Sequence, residues 1–153
     1  MKPVEIEVRV HSAAAPATVY AVAKDSQGYP RWSRIGSFEH VRDGAGERYG
    51  VGSLRIYRTW PLKLLEEVVE LAPDQAVGYI LVGGLPFRDY RARIELSLAP
   101  QGGTAIVWRN RFLVTWPGAR GLFKAFMQSV FDTIAPQLAR EAERVEREAP
   151  ARA

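Results

Sequence analysis

Hydrophobic and polar residues alternate from the start of the chain. Over residues 3–11, Val4, Ile6, Val8 and Val10 fall on one side and Glu5, Glu7 and Arg9 on the other, the period of a half-buried strand. Six more strand-like runs are predicted at 36–42, 50–59, 62–71, 76–82, 87–98 and 104–115. Glycine, proline and aspartate break them at 44–46, 61, 73–74, 83–86 and 100–103, and links this short join antiparallel neighbours. After the first strand, Ser12 is a candidate helix cap, with Pro16 in the first turn and Val19, Tyr20 and Val22 facing inward. The turn-rich stretch 25–33 carries Tyr29 and Trp32, aromatics that suggest a second short helix tucked onto the core. The chain closes with an amphipathic helix over 118–148. Its apolar stripe of Phe123, Phe126, Met127, Val130, Ile134, Leu138 and Val145 follows a 3.6-residue period. The stripe crosses Pro136 without slipping, which favours one helix kinked near Asp132 over two helices with the proline in the second one's first turn. Helices kept apart from an antiparallel run define an α+β fold. A sheet wrapped on one long helix tends to leave a hollow, so ligand binding is the first functional expectation.

Strand parity places the chemistry. In 104–115 the even positions are Ile106, Trp108, Asn110 and Phe112; in 87–98 they are Tyr90, Ala92, Ile94, Leu96 and Leu98. Both even sets are expected to face inward. The odd positions form an outer stripe of Arg91, Arg93, Arg109 and Arg111, partly balanced by Asp89 and Glu95. Asn110 is the polar outlier inside: it either orients a ligand carbonyl or hydroxyl or bonds a neighbouring side chain or water. Trp32, Tyr57, Trp60 and Tyr79 are aromatics that could line the same hollow, although each taken singly also suits core packing. In 62–71 parity is less decisive. If Leu65, Val69 and Leu71 face inward, so does Glu67, whose carboxyl would then hold its proton more tightly and could act as a general acid or base. Pairing with an arginine such as Arg55 would make it structural instead.

Composition narrows the classes. With 153 residues, 47% hydrophobic and 25% charged, the chain is expected to form one domain over 1–148, with 149–153 as a frayed tail. The absence of cysteine removes disulfides, thiolate nucleophiles and cysteine metal sites. The opening MKPVEIEVRV has no apolar signal-peptide core, and no apolar run approaches the ~18 residues of a membrane span, so a cytoplasmic location is expected. A net charge of +4 permits an acidic or anionic partner without requiring one, and no specific nucleic acid is expected. His11 and His40 are the two histidines and have no metal-ligand spacing, so neither a metal nor a cofactor is expected. There is no G-x-S-x-G elbow. Gly83-Gly84 and Gly102-Gly103 read as hairpin turns, since neither leads from a strand into a helix.

Five segments carry a family resemblance in order: the opening strand into AAPATVYAVAKD, then GYPRWS, GVGSLR, LEEVVELAPDQAVGYILVGGLPFRDY, and GGTAIVWRNRF before the last helix. With these the whole chain resembles the Bet v 1-like, START-related (SRPBCC) superfamily, and within it the bacterial polyketide cyclase/dehydrase domains. The resemblance implies a helix-grip fold: a curved seven-stranded antiparallel sheet around the C-terminal helix, two short helices after the first strand, and a deep hydrophobic cavity. Members of that superfamily bind lipids, sterols, hormones or polyketides, and some catalyse aromatic cyclisation or dehydration. The arginine, tyrosine, tryptophan and carboxylate types that the cyclases place in the cavity are matched only loosely, by Arg55, Tyr57, Tyr90, Trp108 and Asn110.

The leading expectation is therefore a module that binds a small hydrophobic or aromatic molecule, lipid- or polyketide-like, between sheet and helix. Its predicted site comprises Trp32, Tyr57, Trp60, Tyr79, Tyr90, Trp108, Asn110 and Phe112, with Phe126, Met127 and Val130 from the helix. The alternative is a polyketide cyclase or dehydratase, with Glu67 and Arg55 as catalytic candidates. A third reading gives the outer arginine stripe an acidic carrier protein or an anionic lipid surface as partner. Monomer and homodimer are both compatible with the pattern.

Overall fold

The computed structural model describes residues 1–149; of the expected tail at 149–153, all but Ala149 lie outside the described residues. Seven strands form one antiparallel sheet: β1 (Val4–Ser12), β2 (Ser37–Arg42), β3 (Leu54–Thr59), β4 (Leu62–Ala72), β5 (Ala76–Gly83), β6 (Phe87–Leu98) and β7 (Thr104–Val114). Their spatial order is β1-β7-β6-β5-β4-β3-β2, so every strand from β2 to β7 pairs with its neighbour in sequence and β1 closes onto β7. Two short helices, α1 (Pro16–Lys24) and α2 (Tyr29–Trp32), carry the chain from β1 at one edge to β2 at the other. The last helix, α3 (Arg120–Glu148), lies in the curve of the sheet and runs unbroken through Pro136. This is the helix-grip fold.

The alternation of β1 holds, with Val4, Ile6 and Val8 buried. On β7 the inward set is Thr104, Ile106, Trp108, Asn110, Phe112 and Val114, all buried. The β1–β7 register sets Val4 opposite Phe112 and Val8 opposite Trp108, so both strands offer one apolar face to α3. From α3 that face receives Met127, Phe131, Ile134, Leu138 and Ala142. Each large side chain buried in this way contributes about 1.5–3 kcal/mol. The helix packs mainly on β1, β7 and α1, at one side of the sheet. It leaves the β3–β5 side less covered, and that asymmetry creates the site.

Three local expectations are corrected. Ser12 does not cap α1. It ends β1, fully buried, and its hydroxyl donates to the Ala139 carbonyl (2.9 Å). Carboxylates of α3 serve the start of α1 instead: Glu146 Oε1 accepts from the Ala15 amide (2.9 Å) and the Thr18 hydroxyl (3.0 Å), placing negative charge at the helix N-terminus. Leu98, expected inside, is 79% exposed, because β6 outruns β5, whose pairing ends at Ala76–Glu95. The third correction concerns β4. Its inward residues are Leu62, Leu64, Glu66 and Val68, and a bulge at Val69 then shifts the parity so that Leu71 also faces the core. Leu65, Glu67 and Val69 therefore do not face the interior; Glu67 sits opposite Ile80, and its nearest cation is Arg42 at 3.7 Å.

A similar shift between Arg88 and Arg91 on β6, with Asp89 at φ 55°, turns Phe87 inward to stack on Phe112 at 4.2 Å. The β5–β6 turn is held tight against β4 by Gly84 (φ 115°): a Cβ there would lie 2.0 Å from the Lys63 carbonyl oxygen, so only glycine fits. No helix among the described residues is long and apolar enough to cross a membrane.

Candidate ligand-binding cleft

A cleft of about 400 Å³ opens between α3 and the β3–β5 side of the sheet. That size lies within the range of small-molecule sites, roughly 300–1,000 Å³. Strand alternation supplies one wall: Tyr57 from β3, Leu62, Leu64 and Glu66 from β4, Tyr79 from β5 and Tyr90 from β6. The stripe of α3 supplies the other, with Phe126, Met127, Val130, Phe131 and Ile134. Leu85 from the β5–β6 turn and Ile35 complete the apolar lining, and Trp60 and Pro61 stand at the rim.

Of the residues predicted for ligand binding, Tyr57, Trp60, Tyr79, Tyr90, Phe126, Met127 and Val130 line this cleft. Trp32, Trp108, Asn110 and Phe112 do not. Trp108 and Phe112 are 1% exposed and fill the core beneath it, and Trp32 packs on Tyr29 at 4.7 Å. Trp108 still reaches the cleft wall, because its Nε1 donates to the Tyr79 hydroxyl (3.2 Å). Asn110 Oδ1 accepts from the Tyr90 hydroxyl (2.8 Å), while its buried Nδ2 has no partner among the described residues.

Of the two catalytic candidates, Glu67 faces away, and its neighbour Glu66 takes the inward position. Arg55 is 2% exposed and lies directly across from Glu66 in the β3–β4 register. Its Nε donates to Glu66 Oε1 at 3.0 Å and its Nη2 lies 2.9 Å from the same oxygen, while Nη1 donates to the Ser26 hydroxyl (2.9 Å). The guanidinium sits over the rings of Tyr57 (4.9 Å), Tyr79 (5.0 Å) and Tyr29 (5.6 Å), a cation–π setting that suits arginine's planar charge. Both arginine contacts fall on Oε1, and Glu66 lines the cleft. Burial raises the pKa of Glu66, with Arg55 opposing the shift. Burial likewise pushes the Tyr57, Tyr79 and Tyr90 phenols well above their ordinary value, so they are hydroxyl donors at neutral pH. Gln137 Oε1, on the α3 wall, is buried without a partner among the described residues. The cleft lining thus combines the Glu66 carboxylate, the unpartnered Gln137 amide oxygen and the Tyr79 hydroxyl with largely apolar walls, while the Tyr57 hydroxyl donates to the Ser26 carbonyl (2.7 Å).

Glu66 was hard to find in the sequence because the doublets Leu64-Leu65 and Val68-Val69 satisfy either parity. Gln137 had a readable signal: it stands three residues after Ile134 and four after Thr133, on the cleft side of the helix. Among the described residues, no three His, Cys, Asp or Glu side chains gather as metal ligands.

The outer face of the sheet holds a second hollow, about 450 Å³, over the arginine stripe. It is a trough in charged surface. Arg93 bonds both carboxylate oxygens of Glu70 (2.8 and 3.0 Å) and also Glu95 (3.0 Å); Arg109 bonds Glu95 and Glu7, and Arg111 lies 3.4 Å from Glu5. The stripe is therefore largely neutralised by its own carboxylates, with Glu5, Glu7 and Glu70 taking the place expected of Asp89. These side chains are roughly half exposed, so solvent screens the pairs. Arg93→Gln is expected to lower the unfolding free energy by no more than about 1 kcal/mol, read from the urea midpoint.

A curved seven-stranded sheet gripping a long C-terminal helix, with an apolar cleft between them, defines a START-like helix-grip protein. A family model described as polyketide cyclase / dehydrase and lipid transport matches residues 3–146, and the chain belongs to that family. Among solved structures it is similar to a START superfamily protein from Mycobacterium smegmatis, with 16% identity, a TM-score of 0.79, and coverage of 92% of this chain and 98% of that one. It is also similar to the Zhui aromatase/cyclase from Streptomyces sp. R1128, with 16% identity, a TM-score of 0.77, and coverage of 97% and 98%. Norcoclaurine synthase from Thalictrum flavum, in complex with dopamine and hydroxybenzaldehyde, aligns with 11% identity, a TM-score of 0.74, and coverage of 99% and 90%. No curated protein matches the chain.

Proposed function

We propose that the cleft binds a small, neutral, mostly apolar molecule with an aromatic or polyketide-like ring and a hydroxyl group at its buried end. The observation that carries this reading is the wall chemistry: about 400 Å³ of apolar space ending on the Glu66 carboxylate, whose charge Arg55 already compensates. A second anionic group would meet Glu66, and a cation would compete with Arg55, so a neutral hydrogen-bond donor fits best. A bound ring would lie between the tyrosines of the sheet and Phe126, Met127 and Phe131 of α3.

The second reading, a cyclase or dehydratase, rests on Glu66 alone. A buried carboxyl with a raised pKa, facing the cleft, can take a proton from a substrate hydroxyl or activated carbon and return it to a leaving oxygen. The likeness in fold to an aromatase/cyclase and to norcoclaurine synthase agrees with this reading.

Thermal unfolding with naphthalene and 2-naphthol tests the binding proposal. At a concentration near one hundred times Kd, 2-naphthol is expected to raise Tm by about 5–10 °C, and naphthalene by less. The double variant Arg55→Met/Glu66→Leu, which leaves no unpaired buried charge, is expected to remove the difference between the two probes. If neither probe shifts Tm, the binding reading fails. Enzymatic turnover would show as loss of product formation in Glu66→Gln with probe binding retained.

A further inference from the structure

Both lips of the cleft end in apolar residues that face water. On α3, Leu122, Phe126 and Val130 recur every fourth residue, forming one stripe that is 72%, 40% and 37% exposed. On the opposite lip the β3–β4 turn projects Trp60, 93% exposed, followed by Pro61 and Leu62. Exposed apolar residues scattered singly are ordinary. Here Trp60, Pro61, Phe126 and Val130 border a single opening, with Leu122 one turn further along the same helix face.

The charge around this opening is one-sided. Arg34 lines the cleft, and Arg140 lies three residues beyond the cleft-lining Gln137 on the same helix face. Both are exposed, and neither has an ion-pair partner among the described residues. Among those residues the one carboxylate lining the cleft is Glu66, which is buried and paired with Arg55. Asp132 is two residues from Val130, hence on another helix face, and holds a bond from Gln128 (3.0 Å). On the outer face Arg93, Arg109 and Arg111 are paired with carboxylates, whereas the cations at the mouth are not.

We propose that the mouth of the cleft docks on an anionic lipid bilayer. Trp60 and the Leu122–Phe126–Val130 stripe would enter the headgroup region, and Arg34 and Arg140 would face the lipid phosphates. An amphipathic aromatic on a projecting turn, apolar helix residues and flanking cations are the combination that holds a peripheral protein at such a surface. Docked this way, the cleft opens toward the lipid. The proposal does not depend on which molecule the cleft holds.

Co-sedimentation of the full chain with phosphatidylcholine vesicles, with and without phosphatidylglycerol, tests it. Binding to the phosphatidylglycerol vesicles is expected to be several-fold stronger and to weaken as salt is raised. Trp60→Ser is expected to weaken it roughly tenfold and to abolish a blue shift in tryptophan emission on vesicle addition. The double variant Arg34→Gln/Arg140→Gln is expected to weaken it roughly tenfold or more and to flatten the salt dependence. The substituted residues are exposed, so unchanged Tm values in these variants will establish that each is folded. Equal binding to both vesicle types, retention of wild-type binding by both variants, or capture by an acidic acyl carrier protein without vesicle binding would each overturn the proposal.

Discussion

Arg55→Met is expected to destabilise the protein by about 3–5 kcal/mol, the usual cost of removing one partner of a buried ion pair. The cost comes mainly from what remains. Glu66 is 7% exposed, and without the guanidinium its carboxylate would have no compensating charge. The Ser26 hydroxyl and three tyrosine faces would lose their cation as well. The double variant Arg55→Met/Glu66→Leu should recover most of the loss, because an apolar pair of similar volume carries no desolvation penalty. The pH dependence has a definite sign. In the folded wild type the pKa of Glu66 is already raised above 4.5, and loss of Arg55 removes the influence that opposes this shift. A raised folded pKa means the folded form holds its proton more tightly than the unfolded form. The contribution of protonated Glu66 is thus complete below 4.5 and is lost as pH rises through the folded pKa. The deficit of Arg55→Met should therefore be smallest in acid and grow toward neutral pH. Urea midpoints across that window measure it, and a variant with wild-type midpoints at every pH would show that the pair contributes little.

That pair also marks where the sequence stops being readable. The interior of β7 could be derived residue by residue, because its even positions alternate without interruption from Thr104 to Val114 and no bulge intervenes. The α3 stripe was legible for the same reason, and it survives Pro136 because the apolar period outweighs one missing hydrogen bond. In β4 the pattern offers two equivalent parities, and the choice is made by pairing with β3, which sets Glu66 against Arg55, and by the bulge at Val69. Both are long-range facts, so the sequence leaves open which face of this strand points inward. Trp60 lines the cleft as expected, but its 93% exposure at the rim was not legible. Its aromatic character suited a cavity wall, but hydrophobicity alone does not distinguish a buried aromatic from one projected by a turn. Trp108 and Phe112 were correctly oriented yet stand one layer behind the cleft, since alternation gives the face of a strand and not the depth to which α3 covers it.

Phe131→Ala is the second substitution expected to have a large effect, and it acts on fold and cleft together. Phe131 is 4% exposed, its ring lies 5.5 Å from that of Trp108, and it lines the cleft. Truncating a buried phenylalanine costs about 3–5 kcal/mol, from lost transfer energy and from the space left behind. Here that space adjoins an existing cleft, so the variant should be less stable when empty and should accept a larger ring than the wild type does. The proposed binding mode then predicts an inversion. A bulkier hydroxyaromatic such as 1-pyrenol should raise the Tm of the variant more than that of the wild type, because the ligand refills volume that Phe131 vacated. Urea denaturation gives the stability cost, and thermal unfolding with 2-naphthol and 1-pyrenol gives the selectivity. Equal shifts by both probes in both proteins would mean that Phe131 packs the core without shaping the cleft, and the α3 wall of the proposed site would have to be redrawn around Phe126 and Met127.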